Sequence, residues 1–521
     1  MTCRLQLQAA SCLALVFFPL GWALATDWPQ YAGPNGDGSS SELIRTNWAE
    51  KPPQVVWRKT VGPGFSSVVA SGGRVFTQIK RAVGSASREF CVALDGATGD
   101  ELWATDVDVA SYTDLVGYDA RMDGPRSTPS VDGDRVYVFT SQLRLFCLRT
   151  DTGKAIWSRD FVTELGSVPI AWENAASPLL VGDLILVNAN ATGRRLMAVR
   201  KSDGGTVWSG QNDVMTHATP VFARIENVPQ VIFLTRSGFV SIVPESGVVL
   251  WRFAFSPSST STAASPGVSG NYVHGSAAYG SGTWIARVTK SGNTFSAVQT
   301  GRQQGNNYQL HWSTPVEHNG FLYCVPSPSS SQGRLSCVEA ATGINRWVQT
   351  TVGSSAIGYG SLIKAGDVLV VLTEGGEVVL VKPNPAAYEE VARFKPLTTF
   401  CWNRPSLSNG RLYARSTSAL KPEIVSLDIG AALPPLPPLG LAAERSSDGN
   451  SWVITVRALD GSELDASHVG RLELVSTVDL VKPMNQWAAL TQTFAVSAGK
   501  LVTVAVWGSD RARYVRARER N

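Results

Sequence analysis

Polar and aromatic side chains stand shortly before a proline at several well-separated positions of this 521-residue chain, most often beside a Ser/Thr-Pro pair. Their hydrogen-bonding groups and ring faces suit a polar or anionic ligand, provided that the loops carrying them meet at one mouth of a channel. The alternative is a merely hydrated channel in which Glu173 is paired with an arginine. The candidates are Arg126, Glu173, Asn174, His217, His311, Trp312, Trp402 and Asn403.

Sequence motifs of catalysis are missing from the chain. It contains no G-x-S-x-G, no G-x-x-x-x-G-K-[ST], no H-E-x-x-H and no EF-hand loop. The five histidines are scattered, and neither they nor the cysteines have the spacing of metal ligands. The sequence therefore predicts no catalytic residue and no metal ligand, and it favours a non-catalytic binding protein.

The composition is that of a folded chain built from short strands. Hydrophobic residues make up 44% and charged residues 17%, which excludes a disordered tail protein. Glycine (48), proline (28) and tryptophan (16) are abundant while methionine (5) is scarce, a balance typical of many turns and rigid aromatic anchors. The net charge of +4 is too small to indicate a nucleic-acid partner.

The first 25 residues have the pattern of a secretory signal peptide. Arg4 supplies the positive end, Leu13 to Leu20 form the apolar run, and Ala23-Leu24-Ala25 is a small-x-small cleavage site. No later stretch has the roughly 18 to 20 apolar residues that span a bilayer. The sequence thus predicts a monomeric bacterial protein, periplasmic or secreted, without a transmembrane segment.

Five cysteines follow the predicted signal peptide, and this odd number leaves at least one unpaired. Cys324 and Cys337 flank a loop rich in Ser, Pro and Gly. Either a cross-strand disulfide or a pair of small buried thiols fits that placement.

A repeat organises the chain. A glycine-containing turn precedes a large aromatic residue again and again, and successive aromatics are separated by 43 to 54 residues. The glycine permits the left-handed residue of a bulged turn, while the aromatic ring offers a flat face to a neighbouring unit. The predicted structural anchors are Trp57, Trp103, Trp157, Trp208, Trp251, Phe295, Trp347 and Phe394.

Short turns before apolar strands also occur eight times, which indicates four short strands in each unit. Repeated units of four antiparallel strands predict an all-β fold, an eight-bladed β-propeller, because one unit alone cannot bury its faces. The last unit lacks an aromatic fourth strand, whereas residues 54–61, with Trp57, form a spare strand near the other end of the chain. We expect this N-terminal strand to complete the eighth blade.

At these residues the chain resembles the quinoprotein-like eight-bladed propellers. Their tryptophan-docking repeat looks like residues 94–103 (LDGATGDELW), and residues 27–38 (DWPQYAGPNGDG) are similar to the opening of exported propeller proteins of planctomycete and verrucomicrobial bacteria. The family includes dehydrogenases that use pyrroloquinoline quinone (PQQ) and the non-enzymatic outer-membrane assembly lipoprotein BamB. The resemblance covers about residues 27 to 430.

This resemblance implies two alternative functions, because one fold hosts many activities. A BamB-like scaffold would bind an envelope protein or a polysaccharide through its funnel and loops. A quinoprotein dehydrogenase would oxidise an alcohol or a sugar with PQQ and Ca²⁺, and in that family a pair of adjacent cysteines contacts the quinone while Glu, Asn and Asp hold Ca²⁺. This chain has no adjacent cysteines, which favours the scaffold.

Four segments follow from these patterns. They are the signal peptide (1–25), the propeller (26–430), a stiff Pro-rich linker (431–440) and a small β-sandwich-like domain (441–521). We expect the last domain to cap the propeller, with attachment to a carbohydrate or a surface as the alternative.

Overall fold

The computed structural model contains two compact units, one formed by Thr26–Ala432 and the other by the residues from Leu433 onward. The first is described over residues 27–112, 123–257, 262–304, 308–328, 332–417 and 420–431. The second is described over residues 439–445, 451–461, 463–464, 472–477, 488–489, 494–497, 500–506 and 514–519. The predicted signal peptide and most of the predicted linker lie outside these residues.

The first unit consists almost wholly of four-stranded antiparallel sheets, numbered here 1 to 8 along the chain. Strands β1 (Ser39–Ser40) and β2 (Gln54–Thr60) precede them. Sheet 1 contains β3 (Val69–Ser71), β4 (Arg74–Val83), β5 (Ala86–Asp95) and β6 (Glu101–Val109). Sheet 2 contains β7 (Ser130–Asp132), β8 (Arg135–Phe139), β9 (Arg144–Arg149) and β10 (Ala155–Asp160), and the short helix α1 (Phe161–Leu165) follows it.

The middle sheets repeat this order. Sheet 3 contains β11 (Leu179–Val181), β12 (Leu184–Asn188), β13 (Leu196–Arg200) and β14 (Thr206–Gly210). Sheet 4 contains β15 (Val221–Ile225), β16 (Val228–Thr235), β17 (Gly238–Ile242) and β18 (Val249–Ala254). Sheet 5 contains β19 (Gly267–Ser269), β20 (Tyr272–Ala277), β21 (Gly282–Ser291) and β22 (Thr294–Gln303). Sheet 6 contains β23 (Val316–His318), β24 (Phe321–Cys324), β25 (Leu335–Glu339) and β26 (Asn345–Gln349).

The last two sheets recruit strands from the beginning of the chain. A small hairpin of β27 (Thr351–Val352) and β28 (Ser355–Ala356) precedes sheet 7, which contains β29 (Ser361–Ala365), β30 (Val368–Leu372), β31 (Val378–Val381) and β32 (Glu390–Phe394). Strand β1 adds to it parallel to β29. Sheet 8 contains β33 (Ser406–Ser408), β34 (Arg411–Arg415) and β35 (Glu423–Asp428), and its fourth strand is β2. Trp57 of β2 lies opposite Ser426 in this antiparallel pair.

The all-β class predicted from the sequence is confirmed, because the described residues of this unit form these sheets and one five-residue helix. Strand β2 pairs with β35, which is the pairing that the sequence predicted for residues 54–61.

The turn before each docked tryptophan explains the repeat. Gly153 has a φ of +69°, and the strand that follows is bulged between Ala155 and Trp157. A Cβ atom on Gly153 would lie 2.5 Å from the ring of Trp103 in the preceding sheet, so only glycine fits there. The indole Nε1 of Trp103 donates to the carbonyl of Thr150 at 3.0 Å. Each such tryptophan therefore joins its own sheet to the next.

Most, though not all, of the predicted anchors make this contact. The remaining tryptophans that donate to a backbone carbonyl of the following sheet are Trp57, Trp157, Trp208 and Trp347. Trp251 instead donates to Gln230 Oε1 of its own sheet at 2.6 Å. Phe295 and Phe394 are half-buried against hydrophobic clusters, and the glycine turn of sheet 6, at Gly343, faces Ile285 rather than Phe295.

The hydrophobic core is divided among the interfaces between neighbouring sheets. Val69 and Phe76 of sheet 1 pack against Val131 and Val136 of sheet 2, and similar clusters lie between the later sheets. One further cluster joins Trp57 and Ile424 of sheet 8 to Val75 of sheet 1. The last sheet thus packs on the first, and no sheet has to bury its faces alone.

All five described cysteines are buried free thiols. Cys324 and Cys337 lie on paired strands, but Cys337 is opposite Tyr323 and Cys324 is opposite Ser336. Neighbouring residues of a strand face opposite sides of the sheet, so this register separates the two sulfur atoms. Of the two alternatives from the sequence, the structure has the buried thiols.

The second unit contains two small sheets. Its strands are β36 (Leu439–Arg445), β37 (Ser451–Ala458), β38 (Leu472–Thr477), β39 (Ala488–Ala489), β40 (Ala495–Ser497), β41 (Lys500–Val506) and β42 (Tyr514–Glu519). One sheet has the order β36-β37-β41-β40 and the other β39-β38-β42. Ile454, Val456 and Leu501 of the first sheet share a core with Leu472 and Leu474 of the second.

Among the described residues of the whole chain, no helix is long and apolar enough to span a bilayer.

Candidate functional site

The segments before the inner strands lie side by side, held by a repeated hydrogen bond. The backbone N–H of Ser67 donates to Thr128 Oγ1 at 3.0 Å, and the N–H of Thr128 donates to Ser177 Oγ at 2.9 Å. Ser177 is joined to Thr219 in the same way, and the N–H of Arg404 in sheet 8 donates to Ser67 Oγ of sheet 1 at 3.0 Å. These hydroxyls, most of which precede a proline, position the site.

We call the equivalent residues in the eight sheets the ring positions. From sheet 1 to sheet 8 they are Ser67, Thr128, Ser177, Thr219, Ser265, Thr314, Ser361 and Arg404. Two ring positions differ: the hydroxyl of Ser361 donates to the carbonyl of Asn403 at 2.7 Å, and the hydroxyl of Ser265 has no partner among the described residues.

A cavity of about 220 Å³ lies at this mouth of the channel. In every sheet, the residue two positions before the ring position lines it. From sheet 1 to sheet 8 these residues are Phe65, Arg126, Ala175, His217, Ala263, Trp312, Tyr359 and Trp402. The four from sheets 6, 7, 8 and 1 are aromatic, whereas those from sheets 2 to 5 are small or polar. At these eight positions the cavity is thus aromatic on one side and small or polar on the other, and we call these sides the aromatic half and the polar half; Trp172 and Tyr279 add further rings to the lining outside these positions.

The aromatic half is one continuous cluster of rings. The ring centroids of Trp312 and Tyr359 are 4.6 Å apart, and those of Trp312 and Trp402 are 5.2 Å apart. Phe65 stacks on Trp402 with an interplanar angle of 17°. Behind the cluster, the indole Nε1 of Trp402 donates to Glu374 Oε1 at 2.7 Å, which fixes the orientation of that ring. These rings present an apolar surface to the cavity.

Arg126 lines the polar half, and its charge is already matched. Its guanidinium lies 2.8 Å from Asp123 Oδ1 and 3.5 Å from Glu173 Oε2, and both carboxylates are buried. Of the predicted site residues, Glu173 and Asn174 lie outside the lining of the cavity. Asn174 instead bonds the backbone of Ala176 and so shapes the loop. The pairing of Glu173 with an arginine is the one that the alternative interpretation expected.

The two predicted histidines of the site line the cavity. His217 Nε2 lies 3.0 Å from the carbonyl oxygen of Ala171. His311 is 6% exposed, and within the described structure neither of its ring nitrogens has a hydrogen-bond partner. Burial, with a smaller contribution from His217, lowers the pKa of His311 to about 4. This imidazole is therefore neutral at physiological pH and is packed against the rings of Trp312 and Tyr279.

Asn403 and Arg404 form the deep part of the cavity in sheet 8. Asn403 is 2% exposed and donates from Nδ2 to the carbonyl of Ser66 at 2.8 Å, while its Oδ1 has no partner among the described residues. Arg404 is 6% exposed, and its Nε donates to the carbonyl of Leu362 at 2.9 Å. Its Nη1 has no partner in the described structure. Burial lowers the pKa of the Arg404 guanidinium.

Residues 27–45, here called the N-terminal strap, close the channel behind the cavity. The carbonyl of Pro29 accepts from the N–H of Val131 in sheet 2 at 2.7 Å. The hydroxyl of Tyr31 lies 3.1 Å from Thr314 Oγ1, at the ring position of sheet 6. Sheets 2 and 6 are on opposite sides of the channel, so the strap crosses it. Tyr31 of the strap is also part of the lining of the cavity.

Other residues of the cavity were not among the sequence predictions, and they include Tyr31, Phe65, Tyr279, Tyr359 and Arg404. The sequence did not indicate Phe65 and Tyr359 as site residues, because no proline follows the ring positions Ser67 and Ser361. The signal that finds them is the constant spacing of two residues between a lining side chain and its ring position. Nothing in the local sequence indicates that Tyr31 reaches sheet 6.

The chemistry available in this cavity is hydrogen bonding and stacking. Among the described lining residues there is neither an aspartate nor a glutamate. The described residues also contain no group of three or more His, Cys, Asp or Glu side chains able to hold a metal ion. The cavity is consequently built to hold a ligand that has both an apolar face and polar groups.

Fold and site together define an all-β propeller with a cavity at one mouth of its channel. A family model described as outer membrane protein assembly factor BamB matches residues 87–315. The outer membrane protein assembly factor BamB of Moranella endobia (strain PCIT) is 23% identical over 320 residues, which cover 58% of this chain and 73% of that protein.

Solved structures agree on the fold. The quinohemoprotein alcohol dehydrogenase of Comamonas testosteroni superposes with a TM-score of 0.54 at 13% identity, covering 81% of this chain and 83% of the other. A quinohemoprotein alcohol dehydrogenase of Pseudomonas putida HK5 gives a TM-score of 0.51 at 11% identity, covering 81% and 84%. The chain is a PQQ-like, BamB-like β-propeller.

Proposed function

We propose that this protein is an exported, non-catalytic binding propeller of the bacterial envelope, and that it takes the end of a polysaccharide chain into its cavity. The proposal rests on the division of one cavity into an aromatic half and a polar half. A sugar ring has apolar C–H faces as well as hydroxyls, so it matches both halves at once. The likeness to a protein named as an outer membrane assembly factor supports a place in the envelope.

The small size of the cavity favours the end of a polysaccharide chain over a folded protein as its ligand. Its volume of about 220 Å³ lies below the range of about 300 to 1,000 Å³ that is usual for sites of drug-sized ligands. A cavity of this volume has room for a ring-sized group, and Tyr31 of the strap forms part of its wall. A protein partner would contact the loops around the mouth and leave the buried polar atoms of His311 and Asn403 without partners.

The quinoprotein alternative requires PQQ and Ca²⁺, and the described lining does not fit them. Asn403 is present, but no carboxylate from the described residues faces the cavity to hold Ca²⁺. Cys401, the cysteine nearest in sequence to the lining, is a free buried thiol with no adjacent cysteine. We therefore derive no oxidation step for this protein.

The test of the binding function is titration calorimetry of the mature protein with a panel of neutral and acidic oligosaccharides. Trp312→Ala and Trp402→Ala should weaken binding about tenfold or more, because each removes part of the aromatic half. Ala263→Trp should also block binding, since it fills the cavity from the opposite side. Phe400→Ala is the matched control, because this aromatic residue contacts Trp402 but does not line the cavity.

Two results would count against the proposal. One is unchanged affinity in the Trp312 and Ala263 variants. The other is a bound-quinone absorption spectrum with dye reduction after reconstitution with PQQ and Ca²⁺, which would establish the dehydrogenase instead.

A further inference from the structure

We infer that the bound sugar carries a carboxylate and that Arg404 binds this group at the bottom of the cavity. The inference rests on the proposed polysaccharide binding and names the class of sugar, a uronic acid. Its basis is a buried guanidinium whose Nη1 has no hydrogen-bond partner among the described residues.

Arg404 differs in residue type from the residues at the other seven ring positions. The other seven ring positions carry a serine or a threonine, and in five of them the hydroxyl accepts the backbone hydrogen bond that joins one sheet to the next. A guanidinium has no acceptor atom, so Arg404 cannot replace such a hydroxyl. The sheets are joined here by its backbone N–H and by the bond from Ser361 to Asn403. The Nη1 group of the side chain is therefore not used in joining the sheets.

A comparison with Arg415 shows that the donors of Arg404 are under-used. Arg415 is also buried without a carboxylate, but its guanidinium donates to the carbonyls of Ser66, Gln78 and Gly62 and to Thr77 Oγ1, at 2.6 to 3.1 Å. Nε of Arg415 has no partner among the described residues, but both of its terminal nitrogens are bonded within the fold, so that arginine is a structural link.

Two of the five N–H donors of Arg404 bond backbone carbonyls, and the Tyr31 side chain also interacts with the guanidinium. Nε bonds the carbonyl of Leu362 at 2.9 Å, and Nη2 bonds the carbonyl of Thr314 at 3.4 Å. Nη1 is left without a partner in the part of the chain that the structure describes. A buried charge that lacks a counter-charge is costly, and a carboxylate is the geometric complement of a guanidinium.

The N-terminal strap packs against the guanidinium of Arg404. A Cβ atom on Gly38 would lie 2.1 Å from Arg404 Nη2, so this position has to be glycine for the strap to pass. The ring of Tyr31 lies 5.8 Å from the Arg404 guanidinium carbon.

The surrounding charges leave Arg404 available to an anion. Asp37, in the exposed part of the strap, acts on Arg404 only from a distance, without an ion pair. The two buried carboxylates on the other side of the cavity, Asp123 and Glu173, are paired with Arg126. Arg404 is thus the cation of the lining that has no paired carboxylate within the described residues.

Calorimetry with matched ligands tests this inference on the intact protein. The probes are oligogalacturonate, oligoglucuronate and alginate oligomers, each beside its carboxyl-reduced form, which keeps the same linkages but has no charge. We expect at least one acidic oligomer to bind about tenfold or more tightly than its reduced partner, with a preference that shrinks as salt is raised. Arg404→Gln should abolish the preference, and Arg404→Lys should restore part of it because the charge returns without the planar fork.

The outcomes separate the inference from the function on which it rests. Equal binding of the acidic and reduced oligomers overturns the role of Arg404 and leaves polysaccharide binding in place. Failure of all oligomers to bind overturns both. Tighter binding of a glutamate-rich peptide than of any uronate identifies a protein partner and also overturns the inference. If Arg404→Gln does not fold, as circular dichroism would show, the comparison of matched ligands on the unmodified protein still decides.

Discussion

His274 and His311 are both buried histidines, yet the atoms around their nitrogens differ. In His274, Nδ1 lies 2.6 Å from the hydroxyl of Tyr308 and Nε2 lies 2.6 Å from the carbonyl of Ala340. Both nitrogens are used, so His274 is a structural link between sheets 5 and 6. His311 lines the cavity, and neither of its ring nitrogens has a hydrogen-bond partner among the described residues. Both nitrogens therefore remain free of structural bonds there.

The pKa of His274 predicts how the free energy of unfolding depends on pH. Burial lowers its pKa to about 4 from an ordinary value of 6.5, so the folded state favours the neutral ring. The stability that His274 contributes is present above pH 6.5 and is lost as the pH falls from 6.5 to 4, by up to about 3 kcal/mol. Urea unfolding at several pH values should therefore show the difference between the native protein and His274→Gln shrinking over that window.

The half-buried His318 supplies the control for this experiment, since His318→Gln also removes one histidine. A difference between the native protein and His274→Gln that stays constant from pH 7.5 to pH 4 would contradict the prediction.

At the scale of elements, two kinds of joint hold neighbouring sheets together. Near the channel, the ring positions exchange N–H to hydroxyl bonds, as between Thr128 and Ser177. Near the outer strands, a tryptophan such as Trp103 packs on a glycine turn and donates to a carbonyl of the next sheet. Both joints are repeated because each sheet needs a partner on either face.

Substitution of the turn glycines tests the outer joint. Gly153→Ala places a methyl group 2.5 Å from the ring of Trp103, in addition to the strain of its left-handed backbone. We expect a loss of about 3 kcal/mol or more in the free energy of unfolding. Gly133→Ala is the matched control, because Gly133 also has positive φ but nothing lies within 4 Å of its added methyl group. It should cost about 1 kcal/mol, and similar losses for the two variants would refute the docking role.

Removal of one hydroxyl tests the inner joint. Ser177→Ala leaves the buried N–H of Thr128 without its acceptor, which should lower the free energy of unfolding by about 1 to 3 kcal/mol. The exposed Ser202 is the control, and Ser202→Ala should stay within about 0.5 kcal/mol of the native protein. Denaturant titration measures both, and equal stability of the two variants would show that the hydroxyl ring is dispensable.

At the scale of the whole molecule, closure depends on strand β2. It pairs with β35 and brings Trp57 into the interface between sheet 8 and sheet 1. Deletion of residues 54–61 should leave an open edge on β35 and an incomplete last interface. We expect calorimetry to show that this variant has lost the cooperative thermal transition of the native protein.

A chain that ends at residue 431 is the control for that deletion, because the eight sheets lie within Thr26–Ala432. It should keep the transition. Normal cooperative unfolding without residues 54–61 would mean that β2 is not needed for closure.

The candidate site was predictable to the extent that local signals marked it. Arg126, His217, His311, Trp312, Trp402 and Asn403 were found because a proline follows closely in each of their segments, and all of them line the cavity. Glu173 and Asn174 carry the same signal, but Glu173 pairs with Arg126 and Asn174 bonds the backbone of its own loop. A single sequence does not tell a side chain that faces the channel from one that faces its own backbone.

The sequence by itself determined the repeat, the four-stranded units, the glycine turns and the strand that completes the last sheet, because these depend on backbone conformation and on contacts that recur at constant spacing. Only the tertiary structure decided that four aromatic residues share one side of a cavity, that Arg126 is neutralised while Arg404 is not, and that the strap closes the channel. These features depend on contacts between residues tens to hundreds of positions apart, such as Tyr31 with Thr314. No local pattern encodes them.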